Sequence, residues 1–237
     1  MKKMQNVISN HSTFYKLSPS QLTFAWDECP RCFYLKVVLG IERPPMTFPK
    51  VFTRIDLLMK RLFEGKPTSA LNPTLPPGRV GMQGKWVNSE PISFPGISAS
   101  CYIKGAFDSV LAFDDGSYAV VDFKTTTPAR HHAAFYTRQL SAYSYALEHP
   151  SPKGLHLSPV SRLGLLCLDP VDIDHGVDHR RITYDNEVTW IELPKDEGKF
   201  LKFMRGVLEL LSLPEPPPAN PECRFCAYRQ AARKHGL

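Results

Sequence analysis

The chain has 237 residues, with 29 Lys and Arg against 23 Asp and Glu, and a formal net charge of +6. This length suits one substantial core, read as a single domain over 1–237, and the mild basic excess is compatible with a polyanionic partner without requiring one. The start Met1-Lys2-Lys3-Met4 has no apolar signal-peptide core and no stretch approaches 18 apolar residues, so we expect an intracellular, cytoplasmic protein with no membrane partner.

In chain order, Leu17-Ser18-Pro19-Ser20-Gln21-Leu22 predicts a helix start, with Ser18 as N-cap, Pro19 in the first helical position and Gln21 three residues after the cap. Pro30 opens a second helical segment carrying Phe33, Tyr34, Val37 and Val38, stopped by Gly40, and Pro44-Pro45 forces an extended link. The spacing of Phe52, Ile55, Leu58, Met59 and Leu62 predicts an amphipathic helix over about 51–64. The Pro/Gly-rich passage 65–82 reads as a long surface connection. Strands at about 84–94, 101–113 and 117–124 form a meander, with Asp114-Asp115-Gly116-Ser117 as the turn between the last two. A helix over about 131–148, strands at 161–168 and 180–192, and a helix around 196–213 complete the series before the proline run from Pro214 to Pro218. Helices, a meander, a crossover helix and further strands predict an α/β fold: a mixed β-sheet flanked by helices.

Two features carry chemistry. Residues i and i+2 of a strand share a face, so Asp122 and Lys124 point together while Phe123 faces the other layer, and Asp108 arrives from the neighbouring strand. Two carboxylates with water and phosphate oxygens suit Mg²⁺ or Mn²⁺, and a lysine beside the ion suits phosphodiester hydrolysis. Asp122 follows the apolar run Ala119-Val120-Val121, where an unpaired carboxylate is costly; a metal or a salt bridge to Lys124 would offset that cost. The second feature is the cysteines. Cys101 and Cys167 lie in apolar strands and read as core thiols. Cys29-Pro-Arg-Cys32 and Cys223-Arg-Phe-Cys226 are CxxC pairs near opposite ends of the chain. Either pair alone would allow a disulfide or redox role; together they favour one metal site that clips a terminal subregion of 17–40 and 214–232.

With these residues in view, the chain resembles the RecB-like branch of the PD-(D/E)xK nuclease superfamily, closest to the CRISPR-associated adaptation nucleases and related exonucleases. Gly105-x-x-Asp108, Asp122-x-Lys124 and Gln139-x-x-x-Tyr143 match three family motifs in order, and the cysteine segments resemble its terminal cluster motifs. The resemblance implies a restriction-endonuclease-like core and metal-dependent cleavage of DNA, often as an exonuclease on single-stranded or frayed ends. Asp108, Asp122 and the backbone carbonyl of Phe123 would be metal ligands and Lys124 would position the attacking water. Gln139 and Tyr143, four apart on one helix face, would arrange the site, although Tyr143 also suits a half-buried core position. Asp56 stands where many relatives place a metal-binding histidine, and it is equally placed to pair with Lys60 at i,i+4. The resemblance implies a [4Fe–4S] cluster on Cys29, Cys32, Cys223 and Cys226, while the spacing alone favours Zn²⁺. Relatives with a cluster usually carry one cysteine early and three late; two and two stand here. Lys104, Arg130, Tyr136 and Arg138 are candidate DNA contacts, and a helicase or DNA-processing complex is the implied partner. The rival reading is a non-catalytic nucleic-acid-binding or complex-assembly subunit that keeps the nuclease fold.

Overall fold

The computed structural model describes residues 13–45, 49–128, 130–175 and 182–236, without the side chains of 130–134 and 175. The basic residues Lys2, Lys3, His179, Arg180 and Arg181, and the side chain of the candidate DNA contact Arg130, therefore lie outside the described residues.

The apolar strand around Val120 is the organising element. Strand β6 (Tyr118–Thr125) sits centrally in a five-stranded mixed sheet of order β2-β5-β6-β7-β8, with β2 at Gly78–Gln83, β5 at Ser109–Phe113, β7 at Val160–His175 and β8 at Ile182–Leu193. β6 pairs antiparallel with β5 and parallel with β7, and β7 pairs antiparallel with β8. The parallel pair needs a crossover, which helix α4 (Arg130–Glu148) supplies. Alternate residues of β6 feed two cores. Val120 packs with Leu140, Tyr143, Leu163 and Met204, on the side covered by α4 and α5 (Glu197–Leu211); Val121 and Phe123 pack with Met59 and Phe63 of α3 (Lys50–Phe63). The α/β reading thus holds: a mixed sheet flanked by helices around a restriction-endonuclease-like core.

Helix α2 (Pro30–Leu39) begins at its proline and ends at Gly40, whose φ of 66° is the left-handed conformation that favours glycine. The Ser18 box also forms: Ser18 Oγ accepts from the Gln21 N–H at 3.3 Å, and Gln21 Oε1 accepts from the Ser18 N–H at 2.9 Å. The π-helical turn itself, Gln21–Ala25, has Ser20 as its N-cap with no side-chain cap bond, so the helix expected to start at Pro19 begins two residues later; the short α1 (Trp26–Glu28) follows.

Three local expectations change, and one strand, β1, was not expected. Residues 101–113 are not one strand but two: β4 (Ala99–Ala106) belongs to a small sheet of order β1-β4-β3, and β5 to the large one, with the chain turning at Phe107-Asp108. Phe107 is buried there, and the turn places Asp108 at the seam of the two sheets. The expected strand 84–94 shrinks to β3 (Trp86–Asn88), because Pro91 and Pro95 lack the N–H that a ladder needs. β1 (Thr13–Leu17) pairs parallel with β4 just ahead of the Ser18 cap. Within the expected connection 65–82, Thr68–Ala70 forms a 3₁₀ turn and Gly78 opens β2; a Cβ at 78 would lie 2.3 Å from the Ala112 carbonyl oxygen, so glycine there is a strand requirement and not a turn signal.

Candidate active site and cysteine centre

Sheet alternation puts Asp122 and Lys124 on the α4 face of β6, and α4 meets them with Gln139, Tyr136 and Tyr143. Asp122 is 3% exposed. Its Oδ1 accepts from Gln139 Nε2 at 3.2 Å, and its Oδ2 is ion-paired with Lys124 Nζ but has no hydrogen bond of ordinary geometry. The Lys124 ammonium lies 4.8 Å from the centre of the Tyr136 ring. Asp108 reaches the same place from the seam: its Oδ2 accepts the Phe123 N–H at 3.1 Å, and its Oδ1 lies 2.8 Å from Lys60 Nζ. A strand residue directs its N–H and C=O to the same side, so the Phe123 carbonyl also faces the Asp108 edge, beyond the last β5–β6 pair at Ser109 and Val121. Lys60 holds Asp56 Oδ2 as well, at 2.9 Å.

Tyr143 is mostly buried, packs in the core and also serves the site, donating its hydroxyl to the Ala106 carbonyl at 2.6 Å and so fixing the strand end that precedes Asp108. Gly105 makes room for this. A Cβ there would lie 2.8 Å from Pro19 Cδ and 3.3 Å from Tyr143 Cε1. Gly105→Ala is expected to cost about 1–3 kcal/mol through overpacking; an unchanged thermal midpoint would contradict this account of the glycine.

Asp56, Asp108, Asp122, Phe123, Lys124, Tyr136, Gln139 and Tyr143 line one open cleft of about 650 Å³. Phe24, Phe52, Thr53, Thr125 and Thr126 complete its walls, and Lys60 bridges two of its carboxylates. Sequence reasoning did not single these out; the Asp56–Lys60 spacing was the only signal for Lys60. Arg138 instead pairs with Asp27 and lies 5.0 Å from the Phe203 ring, and Lys104 lines a separate hollow.

The profile of the PD-(D/E)XK nuclease superfamily matches residues 78–231, more than half of the chain and the part that builds most of this cleft. The chain belongs to the PD-(D/E)XK nuclease superfamily. Two solved structures resemble it. The crystal structure of SSO0001 is 16% identical, with 97% of this chain and 87% of that chain covered at a TM-score of 0.48. A candidate exonuclease from Eubacterium rectale is 10% identical, with 97% and 93% covered at a TM-score of 0.46. No curated protein matches.

Charge in the cleft of this PD-(D/E)XK chain is unevenly held. Burial is the main reason that the Asp122 carboxyl is pushed up to about 7; Asp108 adds to the shift and Lys124 opposes it. Burial would raise Asp108 too, but the hydrogen bond and charge of Lys60, together with Lys124, hold it below the usual carboxylate range. A buried carboxylate with an incompletely partnered oxygen, beside two more carboxylates and a backbone carbonyl, is a hard-oxygen donor set that fits Mg²⁺ or Mn²⁺. Lysines now separate those donors: among the described residues only the cysteines bring three or more ligand atoms within 4.8 Å of one another.

A cation at Asp122 must displace its proton. Mn²⁺ affinity is therefore expected to fall as pH drops below about 7, by roughly tenfold per unit when one proton is exchanged. A calorimetric titration showing constant affinity between about pH 5.5 and 7 would contradict this. The same raised carboxyl has a sign in stability. Between the unfolded value, about 4, and the folded value of about 7 the native state holds more protons, so metal-free protein loses stability as pH rises through that window.

The second donor set of the PD-(D/E)XK chain joins its ends. Cys29 caps α2 and Cys32 lies in its first turn; Cys223 caps α6 (Arg224–Lys234) and Cys226 lies in its first turn. Helix N-termini favour thiolate. The sulfurs stand 3.8 Å (Cys29–Cys226), 3.7 Å (Cys32–Cys223) and 3.5 Å (Cys32–Cys226) apart. Arg43 Nη2 lies 4.0 Å from Cys223 Sγ, and its guanidinium lies 4.5 Å from the Phe225 ring centre. Tyr34 donates to the Leu213 carbonyl at 2.8 Å and Arg31 to the Pro217 carbonyl at 2.9 Å, so the two terminal segments are also tied without metal. This is a four-cysteine site able to hold a metal ion.

Proposed function

We propose that this chain is a divalent-metal-dependent deoxyribonuclease of the RecB-like branch, acting as an exonuclease on single-stranded or frayed DNA ends. The observation that carries the reading is the convergence of Asp108, Asp122 and Lys124 on one cleft, with Asp122 buried and incompletely partnered. Asp108, Asp122, Asp56 and the Phe123 carbonyl would hold Mg²⁺ or Mn²⁺. When bound, the ion lowers the pKa of a water and polarises the scissile phosphate. Lys124, ion-paired with Asp122, would position the attacking water and offset charge on the phosphorane. Gln139 keeps Asp122 oriented, and Tyr143 holds the strand end that carries Asp108. Tyr136, which lines the cleft, would offer a ring to an exposed base once Lys124 has left its face. Loading the ion requires Lys60 to leave the space between Asp56 and Asp108.

We assign the whole of 1–237 to one nuclease domain with a metal-clipped terminal subregion of 17–40 and 214–232. A helicase or DNA-processing complex remains the partner that the family resemblance suggests. For the cysteines, the sulfur spacing supports a single tetrahedral ion over the [4Fe–4S] cluster. Zn–S bonds of about 2.3 Å place tetrahedral sulfurs about 3.8 Å apart, close to the 3.5–3.8 Å found. Sulfurs bound to four different irons must instead stand around an eight-atom core.

The Lys60 bridge favours a second reading, a non-catalytic nucleic-acid-binding or complex-assembly subunit whose carboxylates are neutralised by lysine. End-labelled digestion separates the two. The nuclease reading expects stepwise release of label from single strands with Mn²⁺ or Mg²⁺ and none with EDTA. Binding of ends without turnover in either metal would overturn it in favour of the second reading.

A further inference from the structure

We propose that the outward face of the small β1-β4-β3 sheet carries a single DNA strand to or from the cleft, its bases stacking on Trp86 and on the Phe14–Tyr102 pair and its phosphates meeting Lys16 and Lys104. This rests on the nuclease reading for the identity of the strand and adds the path that it takes.

The sheet alternates in and out. Leu17, Val87, Cys101 and Ile103 point into the core with near-zero exposure, so their neighbours along each strand point outward. Lys16 stands opposite Tyr102, and Trp86 opposite Ala106. Trp86 is 65% exposed and Phe14 53%. Phe14 stacks on Tyr102 with ring centroids 5.1 Å apart at 25°, presenting a flat aromatic surface to solvent. Cross-strand pairing accounts for the Phe14–Tyr102 contact, but not for a tryptophan left largely in water in a hollow that two lysines also line. Rings interleaved with cations suit an unpaired strand, because every base has a stacking face and every step a phosphate.

Continuity with the cleft points the same way. Lys16, Trp86 and Lys104 share a hollow of about 530 Å³ with Ser18, Ser20 and Tyr143, and no acidic residue lines it. Tyr143 also lines the cleft that holds Asp108 and Asp122, so one side chain walls both spaces. A strand leaving the scissile position past Tyr143 meets Lys104 and Trp86 next.

The test is binding of fluorescein-labelled oligo-dT to the full chain in EDTA, read by anisotropy over a salt series, so that it stands apart from metal-dependent cleavage. Trp86→Ala should weaken binding about 5- to 150-fold, the range that loss of base–aromatic stacking gives. The Lys16→Ala/Lys104→Ala double variant should lower the slope of log K against log salt by about 1.4, the share of two phosphate contacts on a single strand. Trp86 fluorescence should also be quenched on binding, a signal absent from Trp86→Ala. Wild-type affinity and salt slope in both variants would overturn the proposal, as would self-association that is lost in Trp86→Ala while oligo-dT binding is unchanged. Failure of the wild type to cleave, with these binding effects intact, would sink the nuclease reading and leave the path.

Discussion

Asp122→Asn is expected to lower metal-dependent turnover at least about a hundredfold while the protein keeps its circular dichroism and cooperative unfolding. The substitution is nearly isosteric and Asn can still accept from Gln139 Nε2, now 3.2 Å away. It removes the buried anion that competes with a proton near pH 7 and would be the inner ligand of the cation. Loss of one preorganised charge-stabilising group typically costs 10²–10³ in rate. Lys124→Ala should fall in the same range for a different reason. Its ammonium is held by Asp122 and the face of Tyr136 at the cleft wall, whereas Lys60 is tied to Asp56 and Asp108. Near-wild-type turnover by a folded Lys124→Ala protein would contradict the assignment.

Cys32→Ser is expected to be the most damaging substitution for stability. Cys32 is almost fully buried, and its sulfur is near both Cys223 and Cys226. Removing one thiolate of four would unseat an ion held there, and loss of a structural metal belongs with the largest single-site effects, about 4 kcal/mol or more. For a chain of this length that lowers the thermal midpoint by roughly 8–16 °C. The damage should be local at first. Amide exchange should quicken in α2 and α6, whose exposed α6 has no buried apolar face to hold it, while β6 stays protected. Unchanged metal content and midpoint would show that the cysteines only pack together.

Strand periodicity made the Asp122/Lys124 face legible, and proximity of two CxxC pairs was a reasonable expectation for thiolates too few to form separate four-ligand sites. The Gly40 stop was equally local and formed as expected; the Ser18–Gln21 bonds also form, but the helical turn begins at Gln21 and not at Pro19. What was hidden depends on tertiary choices. Alternation from Cys101 to Phe113 reads as one strand, yet only the packing of Phe107 and the pairing of β4 with β1 decide that the chain changes sheets at Asp108. Lys60 is a surface lysine by helical spacing, and its hold on Asp108, 48 positions away, follows from how α3 lies on the sheet. Phe24 and Phe52 reach the cleft from separate N-terminal segments for the same reason. The helix α6 has a mostly polar surface and no apolar stripe, so its sequence gave no period to detect.

Anomalous diffraction from crystals soaked in Mn²⁺ tests the central claim most directly. The account predicts a peak in the cleft about 2.1 Å from oxygens of Asp108 and Asp122, with Lys60 withdrawn from Asp108. A cleft with no peak and Lys60 still bridging Asp56 and Asp108 would contradict it.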